Sequence, residues 1–171
     1  SVNMPILSDT NTLTNTYNYK VFKELYENNV STLSILLKGA SSLSNDDIKL
    51  SERLYIPGKR LRGFETGKIG PKDGNDFIGG NYVSSINATT TIPTLLENVQ
   101  SVDVVLFADA ANIWGVDYDS SLDKNGIRSS VGIGIDWLTP VGPLTFSFAH
   151  PVTKEPTDIE QTFRFNIGTS F

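Results

Sequence analysis

The last nine residues of the chain constrain its fold more than any other stretch. With a period of two, residues 163–171 place Phe163, Phe165, Ile167 and Phe171 on one face and polar or small residues on the other. Strands of this kind also occur in soluble sandwiches. Here the alternation continues to a terminal aromatic residue, whereas soluble domains usually finish on a loose polar tail. Because lipid offers the backbone no hydrogen bonds, a barrel strand must stay paired to its end. The pattern therefore predicts the final strand of an outer-membrane β-barrel.

The same alternation recurs in six earlier segments, separated by polar stretches rich in glycine, aspartate and asparagine. These segments are residues 17–26, 31–43, 82–92, 102–114, 127–137 and 144–151. The first has a mixed pattern and fits a short helix equally well. A tight turn at 139–142 contrasts with longer polar connections at 117–126 and 154–160, as in barrels with short turns at one end and long loops at the other. The sequence thus predicts an all-β fold, an antiparallel transmembrane β-barrel segment of about seven strands, although alternation alone also permits a soluble sandwich.

Composition excludes several classes of protein. The hydrophobic content is 39% and the mean hydropathy is −0.14, and no apolar run approaches the roughly 18 residues that a spanning helix needs. The net charge of −5 argues against nucleic acid as a partner, because binding it requires neutralising phosphates. The absence of cysteine excludes disulfides and thiolate metal sites. We expect neither a metal ion nor a cofactor.

The start of the chain has no basic region, apolar region or small-residue cleavage site of the kind that an export signal carries. A protein of the bacterial envelope needs such a signal. We therefore expect either that a signal has been removed or that the sequence begins inside a longer chain.

A long irregular stretch, residues 45–80, separates two of the predicted strands and contains several glycines and two prolines. Connections beyond roughly 15 residues without elements of their own are usually functional or disordered. Apolar residues recur through this one, among them Leu54, Ile56, Leu61 and Phe64. We therefore expect an ordered loop that packs against the sheet.

Enzymatic interpretations find little support. His150 is the single histidine and a proline follows it, so a Ser-His-Asp arrangement would depend on a residue that is more simply a polar strand end. Asp117, Asp119 and Asp123 loosely resemble calcium ligands but lack the glycine and glutamate of an EF-hand, and we expect an exposed outer loop there. The glycines at 132 and 134 lie within a strand, where no phosphate cradle forms. The chain is therefore not expected to be an enzyme.

Three motifs in a fixed order resemble one family. They are Leu61-Arg62-Gly63-Phe64, residues 107–114 (Phe-Ala-Asp-Ala-Ala-Asn-Ile-Trp), and residues 127–144 together with the terminal Phe-Asn-Ile-Gly-Thr-Ser-Phe. Together they resemble the outer-membrane assembly and translocation barrels typified by BamA. The resemblance covers residues 51–171 well and the first fifty weakly.

The resemblance implies a sixteen-stranded barrel in the outer membrane of a Gram-negative-type bacterium, preceded by periplasmic POTRA domains. Residues 1–171 would be the C-terminal portion of this surface antigen-type barrel, and an open sheet of seven strands is not expected to work alone. The implied function is non-enzymatic assembly and insertion of outer-membrane proteins through a lateral seam. The implied partners are outer-membrane lipid, unfolded client proteins, the upstream POTRA domains, the remaining strands and accessory lipoproteins. A polypeptide translocation pore of the same superfamily and a self-associating porin- or adhesin-like barrel are the alternatives.

The resemblance also implies a site inside the barrel. The long loop would fold into the lumen, where Arg62 of the Leu61–Phe64 motif meets Asp109 in a bidentate pair. Gly63 would allow a tight turn, and Phe64 would wedge the loop against the wall. Two alternatives stay open, namely a solvated Arg62 and an Arg62 that binds the nearby Glu65. The family's second carboxylate would fall at Thr89, which leaves open whether Arg62 has a second acidic partner.

The terminal strand is assigned a second role by the same resemblance. Phe163, Phe165, Ile167 and Phe171 resemble the β-signal that assembly machinery recognises by adding a strand at an open edge. In the family this strand also forms a weak seam with the first strand. Gly168, which has no side chain, would weaken packing at that seam, or would simply leave room for a neighbouring side chain.

Overall fold

The computed structural model describes residues 12–44, 46–92, 101–123, 125–140 and 142–168. In chain order the strands are β1 Thr12–Lys23, β2 Ser31–Ser42, β3 Gly63–Phe64, β4 Lys72–Asp73, β5 Asp76–Phe77, β6 Tyr82–Thr91, β7 Val102–Trp114, β8 Arg128–Thr139, β9 Gly142–Thr153, β10 Glu160–Gln161 and β11 Phe163–Ile167. Two short 3₁₀ turns, Leu50–Glu52 and Ser120–Leu122, lie in the loops. None of the helices in these ranges is long and apolar enough to cross a membrane.

The seven long strands form one antiparallel sheet in the order β1-β2-β6-β7-β8-β9-β11. This confirms the predicted all-β, antiparallel architecture and its number of strands. The first segment, for which a short helix was equally acceptable, is a strand that pairs with β2 along its whole length. The expected closing strand is described as far as Gly168, and Phe171 lies outside the described residues.

The alternation gives the sheet two different faces. On one face, called here the apolar face, large side chains stay exposed, for example Val131 at 46%, Ile133 at 40% and Phe148 at 49%. On the other, called the covered face, Arg128 and Ser147 are buried although both are polar. A continuous exposed apolar face of this extent fits lipid better than water.

The connection between β2 and β6 covers the second face as an ordered loop. Ile56, Leu61, Phe64 and Ile69 of this loop form a buried cluster with residues of β6 and β7. Burial of each such side chain stabilises by roughly 1.5–3 kcal/mol and contributes part of what opposes the entropy cost of ordering a long connection. The expectation of an ordered, packed loop is therefore confirmed.

A close approach between strands makes Gly132 of β8 sensitive to substitution. A Cβ built at this position would collide with the carbonyl oxygen of Phe148 and the ring of Phe107. Two residues along the same face of β8, a Cβ at Gly134 would have its nearest neighbour at 3.6 Å, which is ordinary contact.

We expect Gly132→Ala to destabilise the barrel by about 1–3 kcal/mol, because the added methyl group has no free volume. The matched change Gly134→Ala should stay within about 1 kcal/mol of the parent. The measurement is the urea midpoint of the full-length protein refolded in lipid vesicles. Equal shifts for the two variants would show that the two glycines do not differ in packing.

Candidate functional site

The loop tip, defined here as residues 58–66, lies against the covered face. At Gly63 the backbone has φ of +89°, a left-handed conformation that side chains disfavour. A Cβ built there would lie 3.2 Å from the Cβ atoms of Ser130 and Ala149. Glycine thus serves both the turn and the close approach of the tip to the sheet.

The structure brings Arg62 and Asp109 into a bidentate ion pair. Nε of Arg62 donates to Oδ2 of Asp109 at 2.7 Å and Nη2 donates to Oδ1 at 2.7 Å. The backbone N–H of Arg62 donates to the same Oδ2 at 3.1 Å. The Asp109 side chain is 0% exposed and that of Arg62 18%, so the pair is largely screened from water. Charge-assisted bonds in such surroundings are stronger than neutral ones.

An aromatic ring completes the setting of Arg62. The guanidinium carbon lies 3.4 Å from the centroid of the Phe107 ring, and Phe107 is two residues before Asp109 on the same face of β7. A planar guanidinium can bind a carboxylate and stack on a ring at once, which lysine cannot do. Both alternatives for Arg62, a solvated charge and a pair with Glu65, are therefore wrong for this conformation.

The second wall residue at the pair is an amide that the sequence reasoning did not assign. Nδ2 of Asn87 donates to Oδ1 of Asp109 at 2.8 Å and to the carbonyl of Arg60 at 2.8 Å. Asn87 lies directly opposite Asp109 in the β6–β7 register. Thr89 lies two residues further along β6, opposite Phe107. The register itself is the signal that could have identified Asn87.

Arg60 extends the attachment toward the start of the sheet. Its guanidinium donates to Oδ1 of Asn18 at 2.9 Å, to Oγ of Ser34 at 2.5 Å and to Oδ1 of Asn87 at 3.2 Å. These acceptors lie on β1, β2 and β6. Arg60 thus hydrogen-bonds the loop tip to the three strands on one side of β7, and nothing in the sequence motif indicated this contact.

The other residues of the motif have packing roles. Leu61 and Phe64 are each 1% exposed and belong to the cluster between loop and sheet. Glu65 donates its backbone N–H to the carbonyl of Ile159 at 2.8 Å. β3, which is Gly63–Phe64, pairs with β10, so the connection after β9 is also attached to the tip.

The terminal strand presents its aromatic residues as the alternation predicts. Phe163 and Phe165 lie on the apolar face at 46% and 43% exposed. Each contacts a phenylalanine of β9 with a centroid distance of 4.9 Å, Phe165 in a stacked and Phe163 in a tilted arrangement. Ile167 is more exposed at 68%. Gly168 has φ of +107°, a left-handed backbone conformation that favours glycine, and the described residues leave open space around a built Cβ.

A fully buried ion pair, which the sequence reasoning missed, holds the connection after β9. The side chains of Arg128 of β8 and Asp158 are both 0% exposed, with Nε–Oδ2 at 2.9 Å and Nη2–Oδ1 at 3.3 Å. Asp158 also accepts the backbone N–H groups of Gly70 at 3.2 Å and Glu155 at 2.7 Å. One carboxylate therefore joins β8, the long loop and the last connection.

The acidic connection after β7 is more than an exposed loop. Asp117 forms an ion pair with the buried Arg53 of the long loop and accepts the N–H of Ile48 at 2.7 Å. Asp119 matches the expectation better, since its side chain is exposed and accepts the N–H of Ser121 at 2.9 Å. No cluster of three metal-ligating side chains occurs in the part of the chain that the structure describes.

Comparison with known proteins identifies the fold. The family model described as "Omp85 superfamily domain" matches residues 2–171. The chain belongs to the Omp85 superfamily. Its resemblance to the C-terminal part of a BamA-like barrel, noted from the three motifs, is confirmed by the similarities that follow.

Several Omp85 relatives carry names that refer to assembly. "Outer membrane protein assembly factor BamA" of Neisseria meningitidis is 29% identical over 82% of this chain and 22% of its own length. The protein of the same name from Nitratidesulfovibrio vulgaris is 29% identical over 98% of this chain and 21% of its own. The "Sorting assembly machinery 50 kDa subunit" of Saccharomyces cerevisiae is 25% identical over 79% of this chain and 30% of its own.

A solved structure agrees with the sheet described above. The crystal structure of BamA from Haemophilus ducreyi lacking POTRA domains 1–3 superimposes with a TM-score of 0.83 at 26% identity, over 92% of this chain and 35% of that chain. The chain therefore spans between a fifth and about a third of the length of the Omp85 proteins that it matches.

We expect Gly63→Ala to detach the loop tip for two reasons. The added methyl group would press against the sheet, and an alanine would be strained in the left-handed backbone conformation. Gly67→Ala is the matched control, since Gly67 has φ of +77° and open space around its Cβ position. Limited proteolysis of the full-length protein should cut within residues 58–70 at least several-fold faster in Gly63→Ala than in Gly67→Ala. Equal cleavage rates in the two variants would mean that contact of the Gly63 position with the sheet does not contribute to holding the loop tip.

The attachment of Arg53 to Asp117 should depend on pH. Burial raises the pKa of the Asp117 carboxyl, but the Ile48 N–H and the Arg53 guanidinium, with other hydrogen bonds, outweigh it and hold the pKa below its usual value of 3.8. A depressed carboxyl pKa stabilises the fold above the unfolded-state value of about 3.9 and loses this effect as the pH falls through the folded-state value.

We therefore expect amide exchange in residues 48–56, corrected for the intrinsic rate, to accelerate as the pH falls below about 4. Asp117→Asn should show the faster exchange already at neutral pH and little further change on acidification. Hydrogen exchange of the full-length protein in vesicles measures this. A wild-type segment that stays protected at pH 3 would contradict it.

Proposed function

We propose that the protein containing this chain assembles β-barrel proteins into the outer membrane of a Gram-negative-type bacterium, without catalysing a chemical reaction. The observation that supports this most directly is the bidentate Arg62–Asp109 pair at the loop tip. It occurs in an Omp85 chain whose relatives are named for assembly of outer-membrane proteins. The names describe those proteins, and their activity is extended to this one as a hypothesis.

In this proposal the covered face is the barrel lumen and the apolar face contacts lipid. The exposed side chains Val131, Ile133 and Phe148 suit a hydrocarbon environment. The long loop, about residues 45–80, would then lie inside the barrel with its tip on the wall. An ion pair is useful there because a lumen sheltered from bulk water strengthens it, and because its geometry fixes the loop in one position.

The terminal strand would provide the working edge. β11 pairs with β9 on one side, and in the described part of the chain its other side carries no strand. In a complete barrel that side would meet the first strand at a seam, where a client strand could be added through main-chain hydrogen bonds. Phe163, Phe165 and Ile167 would set the register of this strand, with Gly168 and Phe171 at its end. The remaining strands, POTRA domains and any accessory lipoproteins would come from outside this chain.

The packed loop favours a role in protein assembly over a role as a polypeptide translocation pore. Apolar side chains and the arginines at 60 and 62 fill the space next to β6–β9, so polypeptide passage along this wall would require the loop to leave. A translocation pore or a self-associating barrel therefore has less support than an assembly factor with a fixed loop.

We expect Arg62→Ala and Asp109→Ala, each in the full-length protein, to lower client assembly several-fold. Removal of one partner of a largely buried pair costs roughly 3–5 kcal/mol, because the other charge is left uncompensated. The measurement is the heat-modifiable, folded fraction of a barrel client in cells that depend on the variant.

Lys59→Ala is the control, because it removes an exposed positive charge from the same turn. The abundance of each variant in the membrane fraction separates a loss of activity from a loss of the protein itself. Wild-type assembly by both Arg62→Ala and Asp109→Ala would overturn the role of the pair.

A further inference from the structure

Arg164 of β11 holds both ends of the turn that carries Arg62. Its Nη1 donates to the carbonyl of Gly58 and its Nη2 to the carbonyl of Phe64 at 2.5 Å. Nη2 and Nε also donate to Oε1 of Gln161 at 3.0 and 3.3 Å. The two carbonyls flank Arg62 in sequence, so a single guanidinium of the terminal strand spans the loop tip.

The loop backbone is shaped to accept this guanidinium. A Cβ built at Gly58 would collide with Oγ1 of Thr66 and lie 2.5 Å from Nη1 of Arg164. Any side chain at this position would therefore displace the arginine. The contact depends on a glycine in the loop as well as on an inward-facing arginine in the strand.

The tip consequently bridges four neighbouring strands. Asp109 of β7 binds the Arg62 side chain, and Ser130 of β8 donates its hydroxyl to the Arg62 carbonyl. Gly63 lies against Ala149 of β9, and Arg164 of β11 binds the tip carbonyls. The order β7-β8-β9-β11 is the order of the sheet, so the tip runs across it to the last strand.

Charge links the two ends of this bridge. The acceptors that the structure gives to Arg164 are two carbonyls and one amide oxygen, and the charges of both Arg62 and Asp109 act on it. Asp109 offsets the repulsion between the two guanidinium groups. Arg62 lies within the loop tip and Arg164 binds a carbonyl at its end, so loss of the Asp109 charge would leave two positive charges at the tip without that carboxylate.

We propose that Arg164 is a positioning residue that couples the Arg62–Asp109 pair to the terminal strand, so that the integrity of the pair sets how firmly β11 is held. This inference rests on the proposed function, in which β11 forms the edge that receives client strands. A firm loop tip keeps that edge closed, and a disturbed tip loosens it.

The test compares amide exchange of residues 163–167 among variants of the full-length protein in lipid vesicles. Asp109→Asn should accelerate exchange there roughly tenfold, as expected for the loss of a charge-assisted contact, although Asp109 lies three strands away. Arg62→Met should accelerate it less, because it removes the repelling charge together with the attraction. If the tip held β11 only by steric contact, without a contribution from charge, Asp109→Asn and Arg62→Met would accelerate exchange in β11 equally.

Two further variants isolate the role of Arg164. Arg164→Met should give the same acceleration as Asp109→Asn, and the double variant should exceed neither by more than a small factor, because both act through one contact. Arg164→Lys keeps the charge but loses the planar fork that serves two carbonyls, and should restore protection only in part. Asp103→Asn, which removes the same charge from the same strand away from the tip, is the control and should leave β11 unchanged.

The inference is overturned if Asp109→Asn accelerates exchange only in β7 and the loop tip, or if the effects of Asp109→Asn and Arg164→Met on β11 simply multiply. These outcomes differ from a failure of the proposed function. Coupled exchange with normal client assembly would leave the positioning role intact and refute the function of the pair. Impaired client assembly with unchanged exchange in β11 would leave the function of the pair intact and refute the positioning role of Arg164.

Discussion

The structure depends on one carboxylate, that of Asp109, which is buried without access to water. A buried carboxylate is costly unless its lone pairs are filled. Here two guanidinium nitrogens and a backbone N–H of Arg62, with the amide of Asn87, supply the donors. These donors come from a long loop and from a neighbouring strand. The electrostatic need of one side chain therefore fixes a connection that would otherwise sample many conformations.

Arginines recur among the polar contacts that hold the loops in place. Arg128 binds Asp158, Arg53 binds Asp117, and Arg60 and Arg164 use neutral acceptors. A guanidinium can fill several acceptors in one plane, which suits irregular backbone that offers carbonyls at uneven spacing. The long loop thus makes directional hydrogen bonds in addition to the apolar cluster around Leu61 and Phe64. These directional contacts specify one position of the loop on the covered face.

Sequence periodicity predicted most of the fold, because a residue's parity along a strand decides its face. Periodicity alone assigns Asp109 to the covered face and Phe163 to the apolar face. The pairing of Arg62 with Asp109 required a family resemblance, since spacing alone cannot join residues 47 positions apart. The contact of Asn87 with Asp109 could be predicted only from the strand register. The partners of Arg164 are backbone carbonyls of the loop, which every residue type has, so the sequence does not indicate them.

The bridge from the loop tip to the last strand spans a long stretch of chain. Gly58 and Arg164 are separated by 106 positions, and contacts of such sequence separation form late because their loop-closure entropy is large. A chain that stops before β11 lacks Arg164 and therefore cannot form these hydrogen bonds to the two ends of the loop tip. The contacts of the loop tip with β6 and β7 can therefore form without the last strand, whereas the hold on both ends of the tip requires β11 to be in place.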